Sequence, residues 1–278
     1  MIGWWESLFL ILVLVETDPV VMPFVLEHHD EDFELASALT QEEFVADELV
    51  NESHYAGRRL TTNIHVPGRI GNAEFFKFWR DELKASEFVL KTISEGYEFP
   101  FSEIPPPGEH KNNKSMIREK DFALAELLRL EKLGCISRVT DIPYLCLPLS
   151  VVFSKKLRLL VDASRHLNPF IRDRKIRLEG LEARIQLIEQ GDFQTKADLD
   201  SGYWHVPIHP NFRKYAGCSF ENPDGSSFYW VWNVLFLGIK DAVYIFTKLL
   251  GPHRRYLRSH GIRMTMYIDD QSIISSSF

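Results

Sequence analysis

The sequence contains little cysteine. Its 278 residues include three, Cys135, Cys146 and Cys218, which lie far apart and show neither a Cys-x-x-Cys pair nor Cys/His ligand spacing. This excludes a disulfide framework and argues against a structural zinc site. We therefore expect reduced, mostly buried thiols in an intracellular protein.

Long apolar runs are also missing. The most apolar run, "LFLILVLV" at 8–15, has eight residues, whereas a helix needs roughly 20 to cross a bilayer. Glu6 precedes this run, where a signal peptide would carry positive charge, and Asp18 and Pro19 follow it. We predict no membrane partner, and interpret the run as a packed segment of an irregular N-terminus.

Basic residues are absent from the first 50 positions, which hold 12 Asp and Glu. Residues 151–278 hold 18 Lys and Arg against 13 Asp and Glu, so the overall charge of −7 hides a basic C-terminal half. That half is compatible with a nucleic-acid partner. The acidic, weakly periodic start predicts a largely irregular leader over 1–70.

Helical spacing of apolar residues marks the middle of the chain. It predicts one helix over 72–95, from Asn72 as N-cap to Gly96 as stop, and another over 116–133. A Pro-rich linker at 99–115 separates them. We therefore predict a helix-plus-linker segment over 71–115 and a folded domain over 116–278.

The C-terminal domain alternates short strands and helices. Predicted strands include a hairpin whose tip carries Lys155 and Lys156, a strand at 193–200, and a final strand pair around 263–274. A helix is predicted over 241–261. This order indicates an α+β fold, with helices on one face of a mainly antiparallel sheet.

Three carboxylates have a distinctive context. Asp198 ends one predicted strand, while Asp269 and Asp270 lie within the last strand pair. If the two strands are neighbours, the three carboxylates meet and repel one another, which divalent cations such as Mg²⁺ would relieve. The alternative is that Asp269 and Asp270 simply form a turn at a hairpin tip.

The order of five sequence blocks resembles the fingers and palm of reverse transcriptases from retrotransposons and retroviruses. The blocks are "LLRLEKLGCISRV" (127–139), "PLSVVFSKKLRLLVDASRHLN" (148–168), "ADLDSGYWHVPIHPNFRKYAGCSF" (197–220), "WNVLFLGIKDAVYIFTKLL" (232–250) and "YIDD" (267–270). Residues 72–107 also resemble the segment that precedes the polymerase in DIRS-like retrotransposons, and a gypsy-like element is the alternative.

The resemblance implies a catalytic site and its cofactors. Asp198 and Asp269 would be the main metal ligands, with Asp270 in support, for two Mg²⁺ ions or Mn²⁺ in their place. The implied reaction is attack of a primer 3′-hydroxyl on the α-phosphate of a dNTP. Template RNA or DNA, primer and dNTPs would be the partners.

The resemblance also implies residues that bind the incoming dNTP. Lys155 and Arg158 match basic positions that contact the triphosphate; their alternative role is that of solvated surface charges. Tyr203 matches the aromatic residue that blocks a 2′-hydroxyl, and a core tyrosine is the alternative. Gly238 matches a glycine that lets backbone approach nucleotide or template closely.

Asp162 and Arg165 fall in a block that holds the template strand in related enzymes. Tyr267 would pack near the primer end. The second palm motif departs from the family pattern: it reads "LFLG" followed by "KDAV", which places the negative charge of Asp241 near the template-strand side.

His205 and His209 have metal-ligand spacing, but Pro207 between them excludes an ordinary helix. We therefore predict no zinc site at this pair.

Eight residues follow Asp270, so the thumb, later palm motifs and RNase H of the family would have to be supplied separately. We therefore expect a fragment that polymerises only with such segments in cis or in trans. One alternative is an inert, truncated or decayed remnant that at most binds nucleic acid, and another is an acidic scaffold. Cytoplasm and nucleus both remain open as locations.

Overall fold

The computed structural model of the protein describes residues 14–19, 73–199 and 201–276. Most of the predicted leader at 1–70, and the predicted N-cap Asn72, lie outside these residues. Within the leader, the described strand at Leu14–Pro19 was not predicted from the sequence. Among the helices that the structure describes, none has the length and apolar character needed for a membrane crossing.

The described residues form helices and strands in alternation, as the sequence predicts for an α+β fold. The helices are α1 (Ala73–Asp81), α2 (Glu87–Glu95), α3 (Lys114–Arg118), α4 (Lys120–Lys132), α5 (Leu181–Ile185) and α6 (Ala242–Ser259). The strands are β1 (Leu14–Pro19), β2 (Gly108–Glu109), β3 (Ile136–Val139), β4 (Leu145–Cys146), β5 (Leu149–Phe153), β6 (Leu157–Val161), β7 (Phe193–Asp198), β8 (Gly217–Glu221), β9 (Ser227–Trp232), β10 (Arg263–Tyr267) and β11 (Asp270–Ser275).

These strands divide into three sheets. One has four strands in the order β1-β7-β11-β10 and is antiparallel throughout. A second has the order β2-β4-β8-β9-β3 and includes two parallel pairs, while β5 and β6 form the predicted hairpin by themselves. The α+β class is confirmed, but the expectation of one mainly antiparallel sheet is too simple.

Each of the two predicted long helices is divided in the structure. The expected helix over 72–95 is interrupted between α1 and α2, where Lys84 adopts a left-handed φ of 48°. A second N-terminus follows, because the Ser86 side chain accepts a hydrogen bond from the Val89 N–H. Gly96 ends α2 with a φ of 97°, as predicted.

The second division falls at Glu119, whose φ of −103° and ψ of 38° separate α3 from α4. The apolar spacing continues across this break and therefore does not reveal it. Leu127 and Leu130 are fully buried as predicted, whereas the neighbouring Leu128 is 45% exposed. The buried stripe of α4 is thus narrower than the sequence pattern.

One hydrophobic core includes residues from both sides of the Pro-rich linker. Trp79, Ile93 and Tyr97 come from the segment before it, and they belong to the same buried cluster as Leu127 and Trp230. Side chains of the segment before the linker are therefore packed into the core of the segment that follows it. The predicted boundary after residue 115 remains a prediction about chain organisation.

Side chains cover the outer edge of β10. Arg258 donates from its guanidinium to the Met264 carbonyl, and the Met266 N–H donates to Glu179. Glu179 also forms ion pairs with Arg258 at 2.9 Å and with Arg254 at 3.1 Å. The polar backbone groups at this edge therefore already have partners, which disfavours pairing with another strand.

Candidate active site

A tight turn carries the acidic pair. Tyr267 pairs with Asp270 across the β10–β11 hairpin, so Ile268 and Asp269 form a two-residue loop. Ile268 has a φ of 55° although it is β-branched, and its side chain is buried. Such a conformation costs about 1–3 kcal/mol and persists where the surrounding packing imposes it. Asp269 therefore lies in the hairpin turn, while Asp270 is the first residue of β11, and the buried Ile268 anchors the turn in the core.

The end of β7 lies beside this turn. Strands β7 and β11 are antiparallel neighbours, and Ala197 pairs with Gln271. The next residue on β7 is Asp198, and the residue before Gln271 is Asp270. The condition that the two strands are neighbours is therefore met, and the backbones of the acidic residues meet at one end of the sheet. The side chain of Asp198 lies outside the described part of the chain, so its role as a ligand remains a prediction.

Charge at the turn is partly balanced by a lysine. The Lys196 Nζ lies 3.3 Å from the Asp270 Oδ1. Lys196 is on β7, two residues before Asp198, and was not among the residues predicted from the sequence. Carboxylate oxygens are the ligands that Mg²⁺ prefers, so the acidic residues at this end of the sheet suit a hard divalent ion.

Tyr203 lies close to the same turn. It belongs to a 3₁₀ helix at Gly202–His205, and its half-buried ring packs at 5.1 Å from Phe246 of α6. Burial, and secondly the negative charge of Asp269, raise the pKa of Tyr203 above its ordinary value. Tyr203 is therefore close enough to Asp269 to respond to its charge, and its role in nucleotide selection stays a prediction.

The backbone conformation and surroundings of Gly238 require a glycine at this position. Its φ is 110°, and an added Cβ would lie 2.2 Å from the Val161 carbonyl oxygen at the end of β6. Asn168 donates to the Gly238 carbonyl and accepts from the Lys240 N–H, both at 2.9 Å. The close approach seen here is therefore to the backbone of β6; contact with a nucleotide remains a prediction.

The hairpin tip is basic and exposed, as predicted. The turn closes with a hydrogen bond from the Ser154 N–H to the Lys156 carbonyl, and Lys155 and Arg158 are both exposed. Phe153 beside them is 77% exposed. The structure places these residues on the separate β5–β6 sheet rather than on the sheet with the acidic turn.

Among the predicted template and primer residues, Asp162 forms hydrogen bonds within the protein. Its carboxylate accepts hydrogen bonds from Asn113 and Ser164. Burial raises the pKa of Asp162, but these hydrogen bonds outweigh it and leave the pKa below its ordinary value. Arg165 is exposed, and Tyr267 is 44% exposed on β10.

Asp241 lies in the interior, so the expectation of a charge near the template strand is wrong. Its side chain is 2% exposed, accepts a 2.6 Å hydrogen bond from the Tyr97 hydroxyl, and lies 3.5 Å from the Arg174 Nε. The Arg174 guanidinium also lies over the Tyr244 ring. Asp241 therefore links the segment before the linker to the start of α6.

The structure also shows the surroundings of His209 and of the three cysteines. Of the described residues, Glu95, Glu98 and His209 could together hold a metal ion. The His209 Nδ1, however, accepts a hydrogen bond from the Asn211 N–H. This leaves the ring proton on Nε2, where it would block a ligand bond. The three cysteines are free and buried, as predicted.

Comparison with known proteins gives a family match that covers the acidic turn and the strands around it. The family model described as "Reverse transcriptase (RNA-dependent DNA polymerase)" matches residues 149–277. The chain is also similar to the genome polyproteins of Petunia vein clearing virus, isolates Shepherd and Hohn. Each alignment has 33% identity over 95 residues, which is 34% of this chain and 4% of the polyprotein. The chain therefore spans only a small part of these relatives.

Proposed function

Residues 149–277 form a reverse transcriptase domain, and from this premise we propose that the chain contributes a site for template-directed addition of dNTPs to a primer 3′-hydroxyl. The observation that carries the proposal is the meeting of the end of β7 with the Asp269–Asp270 turn. Template RNA or DNA, primer and dNTPs would be the partners, and a retrotransposon, DIRS-like or gypsy-like, would be the source. The cytoplasm or nucleus would be its location.

Asp198, Asp269 and Asp270 would hold the divalent ions in this proposal. When bound, two Mg²⁺ ions, or Mn²⁺ instead, supply charge neutralisation for the attacking and leaving oxygens. The buried side chain of Ile268, which precedes Asp269, would hold the turn in position against the core. Such positioning matters because phosphoryl transfer depends mainly on orientation and electrostatic stabilisation.

Tyr203 would select deoxynucleotides. Its ring is held against Phe246 and lies near the charge of Asp269. A bulky neutral side chain at this position would exclude a ribose 2′-hydroxyl, the group that distinguishes RNA precursors from DNA precursors.

The exposed cations at the hairpin tip, Lys155 and Arg158, would bind the triphosphate. Arg165 and Tyr267, both exposed, would contact template and primer, while Asp162 would hold the block that carries Arg165.

Primer extension tests the proposal. The folded chain, alone and supplemented with a thumb and RNase H segment from a related element, is incubated with a primer–template, dNTPs and Mg²⁺. Incorporation that Asp269→Asn abolishes and Asp173→Asn preserves would support the proposal; Asp173 is 97% exposed and lies outside the site. Equal incorporation by Asp269→Asn would refute it. Primer–template binding without incorporation under either condition would favour the inert remnant.

A further inference from the structure

The ion pair between Lys196 and Asp270 distinguishes the two adjacent acids. Lys196 pairs with Ser272 across β7 and β11, and Asp270 lies two residues before Ser272. Side chains two residues apart on a strand share a face. Lys196 and Asp270 therefore face each other diagonally on the same side of the sheet, with 3.3 Å between Nζ and Oδ1.

Asp269 has a different environment. It sits in the loop rather than on β11, and its charge acts on the phenol of Tyr203. The adjacent carboxylates therefore differ in position, because Asp270 is on β11 and pairs with Lys196 of the neighbouring strand, whereas Asp269 is in the loop.

A cation beside a carboxylate weakens the attraction of that carboxylate for a metal ion. The ammonium group offsets the charge of Asp270, repels a divalent ion bound nearby, and uses one of its oxygens. Both side chains are about half exposed or more, so solvent screens this effect. The expected influence on metal affinity is therefore modest, but it should depend on the charge of Lys196.

We infer that Lys196 is a positioning residue that competes with the divalent ion for Asp270 and so weakens the contribution of Asp270 to metal binding. The inference rests on the proposed function, because it assumes a metal site at the turn.

Mn²⁺ binding to the full chain, without nucleic acid or dNTP, tests the inference. Free Mn²⁺ is measured by electron paramagnetic resonance during titration. Lys196→Gln should bind Mn²⁺ roughly 1.5- to fivefold more tightly, in the range of an exposed ion pair. Lys196→Arg keeps the charge and should behave as the unsubstituted chain. Lys120→Gln, an exposed charge change on α4, is the matched control and should leave the affinity unchanged.

A double-mutant cycle adds the decisive comparison. Asp270→Asn alone should weaken Mn²⁺ binding less than about threefold, whereas in the Lys196→Gln background it should remove most of the gain. Additive effects, or equal affinities of Lys196→Gln and Lys196→Arg, would overturn the inference. Circular dichroism confirms that each variant is folded.

Asp269→Asn tests the metal site separately from the role of Lys196. A loss of at least about tenfold in Mn²⁺ affinity, together with an additive cycle, would leave the metal site standing and refute only the role of Lys196. Absence of Mn²⁺ binding in the unsubstituted chain, or binding unaffected by Asp269→Asn, would refute the metal site and with it the inference.

Discussion

Removal of the Asp241 carboxylate should strongly destabilise the protein. Asp241→Ala leaves the Tyr97 hydroxyl without its 2.6 Å acceptor and Arg174 without its carboxylate partner, in a place where Asp241 and Tyr97 are each 2% exposed. Breaking a buried ion pair on one side costs about 3–5 kcal/mol. Because Arg174 is 24% exposed and reaches solvent, we expect the lower end, about 3 kcal/mol.

Urea unfolding followed by tryptophan fluorescence measures this loss. Tyr97→Phe removes only the hydroxyl, but it also leaves the carboxylate short of a donor, so a loss of about 1–3 kcal/mol is expected. Asp173→Ala is the matched control, since this carboxylate is 97% exposed in its pair with Lys240. It should change the free energy of unfolding by less than about 0.5 kcal/mol. If Asp241→Ala were as mild as Asp173→Ala, the buried network would not hold the two segments together.

Three further predictions concern packing, pH and the sheet edge. Gly238→Ala should lower the free energy of unfolding by at least about 2 kcal/mol, and by more than Gly261→Ala. Both glycines have a positive φ, but only at Gly238 would the added Cβ meet a backbone oxygen. The midpoints of urea unfolding compare the two variants. Burial lowers the pKa of His253 to about 4, so its contribution is present above pH 6.5 and lost as pH falls toward 4. The free energy of unfolding should drop by about 2 kcal/mol from pH 7 to pH 5 in urea titrations, and a variant with His253→Gln should show a smaller drop. Glu179→Ala uncovers the β10 edge and should cause concentration-dependent self-association in light scattering; a monomer at all concentrations would contradict this.

Local patterns predicted much of the secondary structure. The β5–β6 hairpin, β7, α6 and the final hairpin all follow from alternation, helical spacing and turn residues in the sequence. The pairing of β7 with β11 was only a condition for bringing the three carboxylates together, and no local pattern predicted it. The hairpins, the strand and the helix could be predicted because each depends on residues that are close in sequence.

The remaining features depend on contacts between distant residues. Tyr97 and Asp241 are 144 positions apart, so no local pattern shows that Asp241 is buried. The breaks at Lys84 and Glu119 lie within continuous apolar spacing, where tertiary packing decides the backbone conformation. Lys196 could have been found only by combining the register of β7 and β11 with the position of Asp270.

Single-nucleotide incorporation tests the central claim most directly. The chain, alone and together with a thumb segment from a related element, is given four primer–templates that differ in the first unpaired template base, and each is offered one dNTP at a time with Mg²⁺. We expect addition of the complementary nucleotide in each case, loss of addition in Asp269→Asn, and unchanged addition in Asp173→Asn. Addition that ignores the template base, or that survives Asp269→Asn, would contradict it.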